Sequence, residues 1–470
     1  LGQGRQIQVE FVSANPTGPL HVGHGRGAAY GASLANILAA AGYAVQREYY
    51  VNDAGRQMDI LATSIWLRYL ELAGLTAPFP RRGYQGDYVF DIAATLHRNH
   101  AYRFIVDPEL FLQVGSDGPD DTGHEMYVDA LINLAKQELG SDYAVVFAAG
   151  LDALLGDTAD DLAHFGVTFD RWYSERSLHE RGVVDALIER LQASGHIYAQ
   201  QGALWFKTTA FGDEKDRVVR RENGQTTYFA ADIAYHWEKF QRGFNEVIDI
   251  WGADHHGYIA RVRAALQALA INPDRLRILL VQFVNLLRDG KPQAMSTRSG
   301  EFVTLRQLRR EVGNDAARFF YVLRKSEQHL DFDLDLAKAQ SNDNPVYYIQ
   351  YAHARICSVQ RQAVEKGWVE DAGLAQQNRH HLTTAQEQAV LQVLARYPEI
   401  IEQAALEYAP HHLAHYLREL ADAFHAYYNA TPFLVPELEL RTVRLYLIRA
   451  VQWVLADGLN LLGVSAPERM

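Results

Sequence analysis

The sequence predicts an α/β protein: a doubly wound parallel sheet, interrupted by an insertion and followed by an all-α helix bundle. Two strand–turn–helix segments, one near the N-terminus and one around residue 250, indicate parallel strands that end at a common crevice. Beyond residue 345, aromatic and aliphatic residues recur at spacings of three and four, which is typical of packed helices.

The first strand–turn–helix segment places two histidines at a helix start. Apolar and polar residues alternate from Ile7 to Phe11 as in a strand, and the prolines and glycine at 16–19 predict a turn. His21 and His24 then lie on the opening turn of a helix, where unpaired amide groups and the helix dipole favour an anion such as phosphate. Gly23, which has no β-carbon, allows a ligand to approach the backbone.

From the residues alone, two other interpretations of this histidine pair stay open: half of a metal site, without a third ligand at a familiar spacing, or a helix cap that binds nothing. The stretch from Ser13 to His24, Ser-Ala-Asn-Pro-Thr-Gly-Pro-Leu-His-Val-Gly-His, resembles the HIGH signature of class I aminoacyl-tRNA synthetases in the form used by arginyl-tRNA synthetases. The resemblance implies that His21, Gly23 and His24 bind ATP, that both histidines are catalytic, and that no metal is held by the protein.

A second strand, from Tyr43 to Val51, leads into Asn52 and Asp53 and then into a helix. Strand, helix, strand and helix in succession predict a parallel βαβ unit with a right-handed crossover. The carboxyl ends of both strands should meet at one crevice of a Rossmann-like sheet, which places His21 and His24 beside Asn52 and Asp53. The run Tyr-Tyr-Val-Asn-Asp-Ala-Gly-Arg-Gln in this segment also resembles the arginyl enzymes.

Residues 81–195 are mostly amphipathic helix without an evident catalytic cluster, and we expect them to form an insertion. Their acidic run at Asp117, Asp120 and Asp121 is compatible with a metal, but a solvated helix start explains it better.

After the insertion, the sheet is expected to resume with strands at 203–207, 218–220 and 278–287. Tyr228 and Asp232 lie four residues apart and so share one face of a helix that begins there. As an isolated pair they are as compatible with a structural role as with a functional one.

Together with the resemblance, the pair of Tyr228 and Asp232 is expected to bind substrate. A guanidinium carries a planar fork of donors that carboxylates accept, and a tyrosine can stack on it. The resemblance implies that Glu10, Tyr228 and Asp232 recognise the guanidinium of arginine, and that Ser13 and Asn15 orient its amino and carboxylate groups.

The strand at 246–251 opens into Gly252-Ala-Asp-His-His-Gly, which repeats the strand-to-helix arrangement at the opposite side of the crevice. Adjacent histidines in a loop do not readily converge on one ion, so a metal pair of His255 and His256 is disfavoured. The resemblance implies that Gly252 passes beneath an adenine, that Asp254 holds ribose hydroxyls, and that His255 belongs to the ATP site.

A third signature, at residues 291–300, reads Lys-Pro-Gln-Ala-Met-Ser-Thr-Arg-Ser-Gly and resembles the KMSKS loop, which closes on the triphosphate. Met295 and Ser296 are accordingly expected to bind ATP. Ala294 stands where the first lysine of that motif belongs, so the catalytic positive charge on the leaving pyrophosphate must come from Arg298, Lys291 or elsewhere, and we expect Arg298 to supply it.

The C-terminal helices resemble the anticodon-binding domain of the arginyl enzymes, including the last ten residues. The expected division is the catalytic domain's first half at 1–80, the mainly helical insertion at 81–195, the catalytic domain's second half at 196–300, a helical connection at 301–344 and the anticodon-binding bundle at 345–470.

The implied activity is arginine–tRNA ligation: activation of L-arginine by ATP and transfer to the 2′-hydroxyl of the terminal adenosine of tRNA(Arg). ATP is expected to bring Mg²⁺ as a substrate complex. The alternatives are a class I synthetase for another amino acid, and a non-catalytic tRNA-binding paralogue, which the absent loop lysine keeps open.

Composition sets further expectations. A net charge of −12 disfavours a general nucleic-acid binder but allows a local basic stripe. The candidates, for each of which a solvated helix face is the alternative, are Arg306, Arg309, Arg310, Arg318, Arg324 and Lys325. The single cysteine, Cys357, fits a reducing compartment, and no apolar run was expected to span a membrane. We therefore expect a cytoplasmic monomer with no membrane partner, lacking the family's additional N-terminal domain.

Overall fold

The computed structural model of the protein describes residues 1–293, 303–368 and 371–470. The strands are β1 (Gln6–Glu10), β2 (Ala44–Val51), β3 (Arg171–Ser174), β4 (Ile197–Gln200), β5 (Ala203–Phe206), β6 (Arg217–Arg220), β7 (Glu246–Gly252), β8 (Leu276–Val281), β9 (Val284–Arg288), β10 (Lys291–Pro292) and β11 (Leu330–Asp333).

The helices of the N-terminal and central parts are α1 (Val22–Ala40), α2 (Arg56–Leu72), α3 (Asp87–His100), α4 (Asp121–Leu139), α5 (Tyr143–His164), α6 (Arg176–Glu180), α7 (Val183–Ala193), α8 (Tyr228–Gln241), α9 (Ile259–Ala268), α10 (Leu305–Val312), α11 (Asn314–Val322) and α12 (Leu334–Lys338). The C-terminal helices are α13 (Pro345–Glu365), α14 (Ala372–Gln377), α15 (Ala385–Ala395), α16 (Tyr397–Leu406), α17 (His411–Ala430) and α18 (Leu438–Leu461).

The central sheet has five strands in the order β3-β2-β1-β7-β8, and every neighbouring pair is parallel. The chain builds outward from β1 to β3 on one side and from β7 to β8 on the other, so the order reverses between β1 and β7. A doubly wound sheet opens its ligand crevice at such a reversal. The predicted fold class is confirmed.

Helix α1 packs closely on the sheet and on its neighbours because its buried face is rich in small residues. A β-carbon at Gly31 would lie 2.3 Å from the Phe11 ring, and one at Gly25 would lie 2.7 Å from Leu305. Helix α1 also contacts the C-terminal bundle, since the Ser33 hydroxyl and the Asn36 amide donate to the backbone oxygens of Leu462 and Leu461 at the end of α18. The helix that starts at the histidine pair is therefore fixed along its length.

Three of the predicted strands lie elsewhere than expected. β5 and β6, predicted to continue the main sheet, belong instead to a separate antiparallel sheet in the order β4-β5-β6; a two-residue turn joins β4 to β5, and residues 207–216 join β5 to β6. The single strand predicted at 278–287 is broken at Gln282, whose backbone N–H donates to Ser326; β8 stays in the main sheet while β9 pairs with β11.

The range 81–195 is mainly helical, but it also contains β3, which forms the edge of the main sheet beside β2. Helices α4 and α5 pack beside α2, and the 3₁₀ turn at Gly140–Asp142 separates α4 from α5.

By length and hydropathy alone the stretch Asp121–His164 is long and apolar enough to cross a membrane, contrary to the expectation that no such run exists. The predicted helix start there is confirmed, because the Asp120 side chain caps α4.

The predicted basic stripe is wrong for three arginines. Arg306 and Arg309 donate to Asp157 and Asp161 of α5, and Arg318 is buried, donating to backbone oxygens. Arg306 and Arg309 join α5 to α10 and their charge is compensated by acids inside the protein, whereas Arg318 is held by backbone oxygens.

Candidate active site

A cavity of about 660 Å³ opens where β1 and β7 diverge. It brings together every predicted site residue that the structure describes: Glu10, Ser13, Asn15, His21, Gly23, His24, Tyr228, Asp232, Gly252, Asp254 and His255. Met295, Ser296 and Arg298 lie outside the described residues.

The two histidines form one end of this cavity. His21 caps α1, and its Nδ1 accepts the backbone N–H of Gly23 at 3.1 Å, while His24 Nδ1 accepts that of His21 at 3.3 Å. The rings stack with centroids 3.6 Å apart. Burial lowers the pKa of both rings; beside His21, the pKa of His24 falls to about 3. Both are therefore neutral near pH 7, and with Nδ1 accepting, the ring proton resides on Nε2.

The opposite wall is the segment after β7. Gly252 begins the 3₁₀ helix Ala253–Tyr258, and a β-carbon on it would lie 2.4 Å from Asp254 Oδ1. Asp254 and His255 are exposed, with Nε2 of the histidine 3.5 Å from the carboxylate. A glycine at this position leaves room for the Asp254 side chain beside the strand end.

The turn that follows β1 is strained. Val12 and Ser13 both have positive φ, 69° and 41°, which is uncommon for residues with a β-carbon. The Ser13 hydroxyl donates to Glu10 Oε1 at 2.9 Å and accepts the backbone N–H of Tyr50 at 3.0 Å. Beyond the turn, Asn15 donates to Gln57 at 3.0 Å. The serine hydroxyl thus ties the strained turn to both β1 and β2.

A buried cluster of charges lies behind Glu10. Lys239 of α8 has no exposed side-chain surface and donates to Glu10 and, at 2.7 Å, to Asp249 of β7. Asp249 Oδ2 lies 2.8 Å from His236 Nε2. Burial by itself would raise the pKa of Asp249, but Lys239 and His236 outweigh it and the pKa is lowered. The cluster has a compensating cation for its carboxylates.

A second pair of acids, Asp232 and Glu175, lies on the cavity wall without such a cation. Asp232 accepts a hydrogen bond from the Tyr258 hydroxyl, and with its amide nitrogen turned toward Glu175, Asn52 donates to that carboxylate at 2.9 Å. Burial raises the pKa of both acids, and Asp232 helps to bring that of Glu175 to about 8. Among the described residues, neither carboxylate has a Lys, Arg or His partner within 4 Å.

Glu175 is the main residue that the sequence reasoning missed. It is 3% exposed and follows β3, so it lies at the carboxyl end of a parallel strand, as the other site residues do. The sequence carries one signal for Glu175: the short strand-like run Arg-Trp-Tyr-Ser, with two aromatic residues, is followed by this acid just before a helix. It stood inside the range that was expected to be an insertion.

Comparison with known proteins adds an independent line of evidence. The family described as "tRNA synthetases class I (R), catalytic domain" matches residues 1–73 and 159–338, and the "DALR anticodon binding domain" matches residues 349–470. Proteins named arginine–tRNA ligase from Thioalkalivibrio sulfidiphilus and Nitrosospira multiformis are each 62% identical, and the alignments cover all of this chain and 80% of each relative.

Solved structures give the same result. A structure described as an arginyl-tRNA synthetase from Campylobacter jejuni is 32% identical, with a TM-score of 0.82 over all of this chain and 95% of the other. The arginyl-tRNA synthetase of Thermus thermophilus is 26% identical, with a TM-score of 0.72 over all of this chain and 83% of the other.

Proposed function

The chain belongs to the arginine–tRNA ligase family, and from that premise we propose how its crevice selects arginine, activates it with ATP and presents it to tRNA. One observation carries the proposal: on the cavity wall Glu175 is buried and Asp232 is half-buried, and among the described residues neither has a cationic partner within 4 Å. Two such acids are costly in an empty pocket and match a ligand that brings its own positive charge.

The guanidinium of arginine fits this pair. Its planar fork of donors binds carboxylates through paired hydrogen bonds, and its charge restores ionisation of the acids. Tyr228, at the first turn of α8, lines the same cavity and is half-exposed, so its ring is available to lie against the guanidinium. We assign side-chain recognition to Asp232, Glu175 and Tyr228.

The turn after β1 then receives the other end of the amino acid. Ser13 and Asn15 line the cavity with polar atoms, and we assign them to the amino and carboxylate groups. Glu10 also lines it, but its oxygens already accept from Lys239 and Ser13. We therefore place Glu10 on the amino side of arginine rather than at the guanidinium.

Activation needs the arginine carboxylate to attack the α-phosphate of ATP in line, which forms arginyl-adenylate and releases pyrophosphate. The N-terminus of α1 and the Nε2–H groups of His21 and His24 are suited to stabilise charge on the phosphates. The ATP-bound Mg²⁺ neutralises part of that charge as a component of the substrate. Gly252, Asp254 and His255 are assigned to the nucleoside, and Met295, Ser296 and Arg298 stay predictions.

In the second step, the 2′-hydroxyl of the terminal adenosine of tRNA(Arg) attacks the adenylate carbonyl, and AMP leaves. Both steps depend mainly on positioning, since no covalent enzyme intermediate is required. The bundle that starts near residue 345 is assigned to the anticodon, and the domain boundaries, the monomeric state and the cytoplasmic location stay predictions.

Pyrophosphate exchange tests the proposal directly. The purified protein is assayed with each amino acid, with and without tRNA(Arg). We expect exchange that depends on arginine and on tRNA. Exchange with a different amino acid, or none with any amino acid while the tRNA is shown to bind, would contradict the assignment.

A further inference from the structure

A buried lysine outside the cavity controls the geometry of the amino-acid end of the site. Lys239 does not line the cavity, and its side chain has no exposed surface. It lies on α8 seven residues after Asp232, with His236 between them, so one face of this helix presents all three side chains toward the sheet. The ammonium group therefore joins the helix that carries Asp232 to β1 and β7.

The contacts of Lys239 form a continuous chain that ends in the cavity. Its ammonium donates to Glu10 at the end of β1, and Glu10 accepts the Ser13 hydroxyl at 2.9 Å. Ser13 in turn accepts the backbone N–H of Tyr50 at 3.0 Å. The last links hold the turn in which two successive non-glycine residues have positive φ. Such a backbone persists only when its surroundings fix it.

The same ammonium also balances the charge on the second strand. Lys239 donates to Asp249 Oδ1 at 2.7 Å, and Asp249 Oδ2 faces His236 Nε2 at 2.8 Å. His236 Nδ1 lies 2.8 Å from the backbone oxygen of Asp232, so both ring nitrogens face acceptor oxygens. The ammonium of Lys239 thus lies between two carboxylates, one on each strand.

We propose that Lys239 is a positioning residue for arginine: by holding Glu10, it sets the Ser13 turn that receives the amino end of the substrate. This inference rests on the proposed function, because it uses the arginine end of the cavity. It extends that function to a residue that touches neither substrate. Without the ammonium, Glu10 would be a buried acid without its cation, and the hydrogen bond to Ser13 would no longer be fixed.

A double-mutant cycle tests whether Lys239 acts through Glu10. Wild type, Lys239→Met, Glu10→Gln and the double variant are compared by the KM for arginine, the KM for ATP and the thermal midpoint. We expect Lys239→Met to raise the arginine KM about tenfold and the ATP KM less than about twofold. In the Glu10→Gln background the same change should add almost nothing, because the link it breaks is already altered.

Lys338→Met is the matched control, since Lys338 forms a surface pair with Glu311 and should leave both constants unchanged. A parallel rise of both KM values, or the same rise in both backgrounds, would overturn the positioning role. If Lys239→Met alone is insoluble, the arginine KM of the double variant, in which Asp249 still faces His236, is compared with that of Glu10→Gln. Equal arginine KM values support the positioning role. A higher arginine KM in the double variant overturns it. A wild type without arginine-dependent aminoacylation would instead refute the proposed function.

Discussion

Two pairs of carboxylates lie at or directly behind the same cavity, and they differ in their compensation. Glu10 and Asp249 share the ammonium of Lys239, with His236 beside them. Asp232 and Glu175 have only hydroxyl and amide donors among the described residues. The first pair is complete within the protein. The second has no cation within 4 Å among the described residues, and we propose that the substrate supplies it.

The comparison shows how to separate structural from ligand-binding acids. Glu10, Asp249 and Glu175 are all buried, so burial alone does not distinguish the pairs. The cost of a buried, unpaired carboxylate is large, and a raised pKa is its usual sign. Burial raises the pKa of Glu10 as well as those of Asp232 and Glu175, whereas the pKa of Asp249 is lowered by its partners; the cation within reach, and not the direction of the pKa alone, therefore separates the two pairs.

The largest effect on arginine binding is expected when the charge of Asp232 is removed. In Asp232→Asn the Tyr258 hydroxyl keeps an acceptor, so the fold should survive while the guanidinium loses a buried ionic partner. We expect the arginine KM to rise about a thousandfold and the ATP KM to change little, measured by aminoacylation. Asp142→Asn, at a surface pair with Arg103, is the control. Equal rises for both substrates would remove Asp232 from the amino-acid end.

Substitution at the histidine end of the cavity should lower the activation rate and leave the arginine KM nearly unchanged, which is the reverse of the result expected for Asp232. His24→Ala removes a donor to the phosphates, and the rate of arginyl-adenylate formation should fall about a hundredfold with the arginine KM nearly unchanged. Single-turnover activation measures this, with the exposed His164→Ala as control. A normal activation rate with weakened tRNA binding would contradict the phosphate role.

Glu175→Gln tests how much Glu175 contributes to arginine binding compared with Asp232. The pKa of Glu175 is raised to about 8 by burial and by Asp232, so much of this carboxyl is protonated near neutral pH in the empty site. Its removal should therefore matter less than that of Asp232, raising the arginine KM about tenfold. Glu180→Gln, at an exposed neighbouring position, is the control. An unchanged arginine KM would exclude Glu175 from recognition.

The smallest expected effect is on stability. Because the pKa of Glu175 in the folded protein exceeds its ordinary value of 4.5, the folded state holds a proton that the unfolded state releases. Its stabilising contribution is complete below the ordinary pKa and is lost as pH rises through about 8. Between pH 5 and 9, the Tm of ligand-free wild type should fall by about 2 °C more than that of Glu175→Gln. Parallel curves would contradict the raised pKa.

Much of the crevice could be predicted because it depends on local sequence. Periodicity and turn residues identified β1, α1, β2 and β7, and the strand ends then placed His21 and His24 beside Asn52 and Asp53; Asp232 was assigned to the site through the family resemblance. The three-stranded sheet of β4 to β6 was missed because strand periodicity does not specify which partner a strand pairs with. Only its antiparallel connections separate it from the main sheet.

Glu175 and Lys239 were missed for related reasons. Glu175 reaches the cavity through the pairing of β3 with β2, more than a hundred residues earlier in the chain. Lys239 looks like any lysine on an amphipathic helix until its partners from β1 and β7 are known. Compensation of buried charge is a property of tertiary contacts, and no spacing rule in the sequence encodes it.

The most direct test of the central claim compares arginine with citrulline, a neutral analogue of similar shape. Aminoacylation is measured for wild type and for the Asp232→Asn, Glu175→Gln double variant, with ATP and tRNA(Arg) saturating. If the uncompensated acids await a cation, wild type should prefer arginine strongly and the double variant should lose most of that preference. A double variant that still prefers arginine as strongly as wild type would contradict the account.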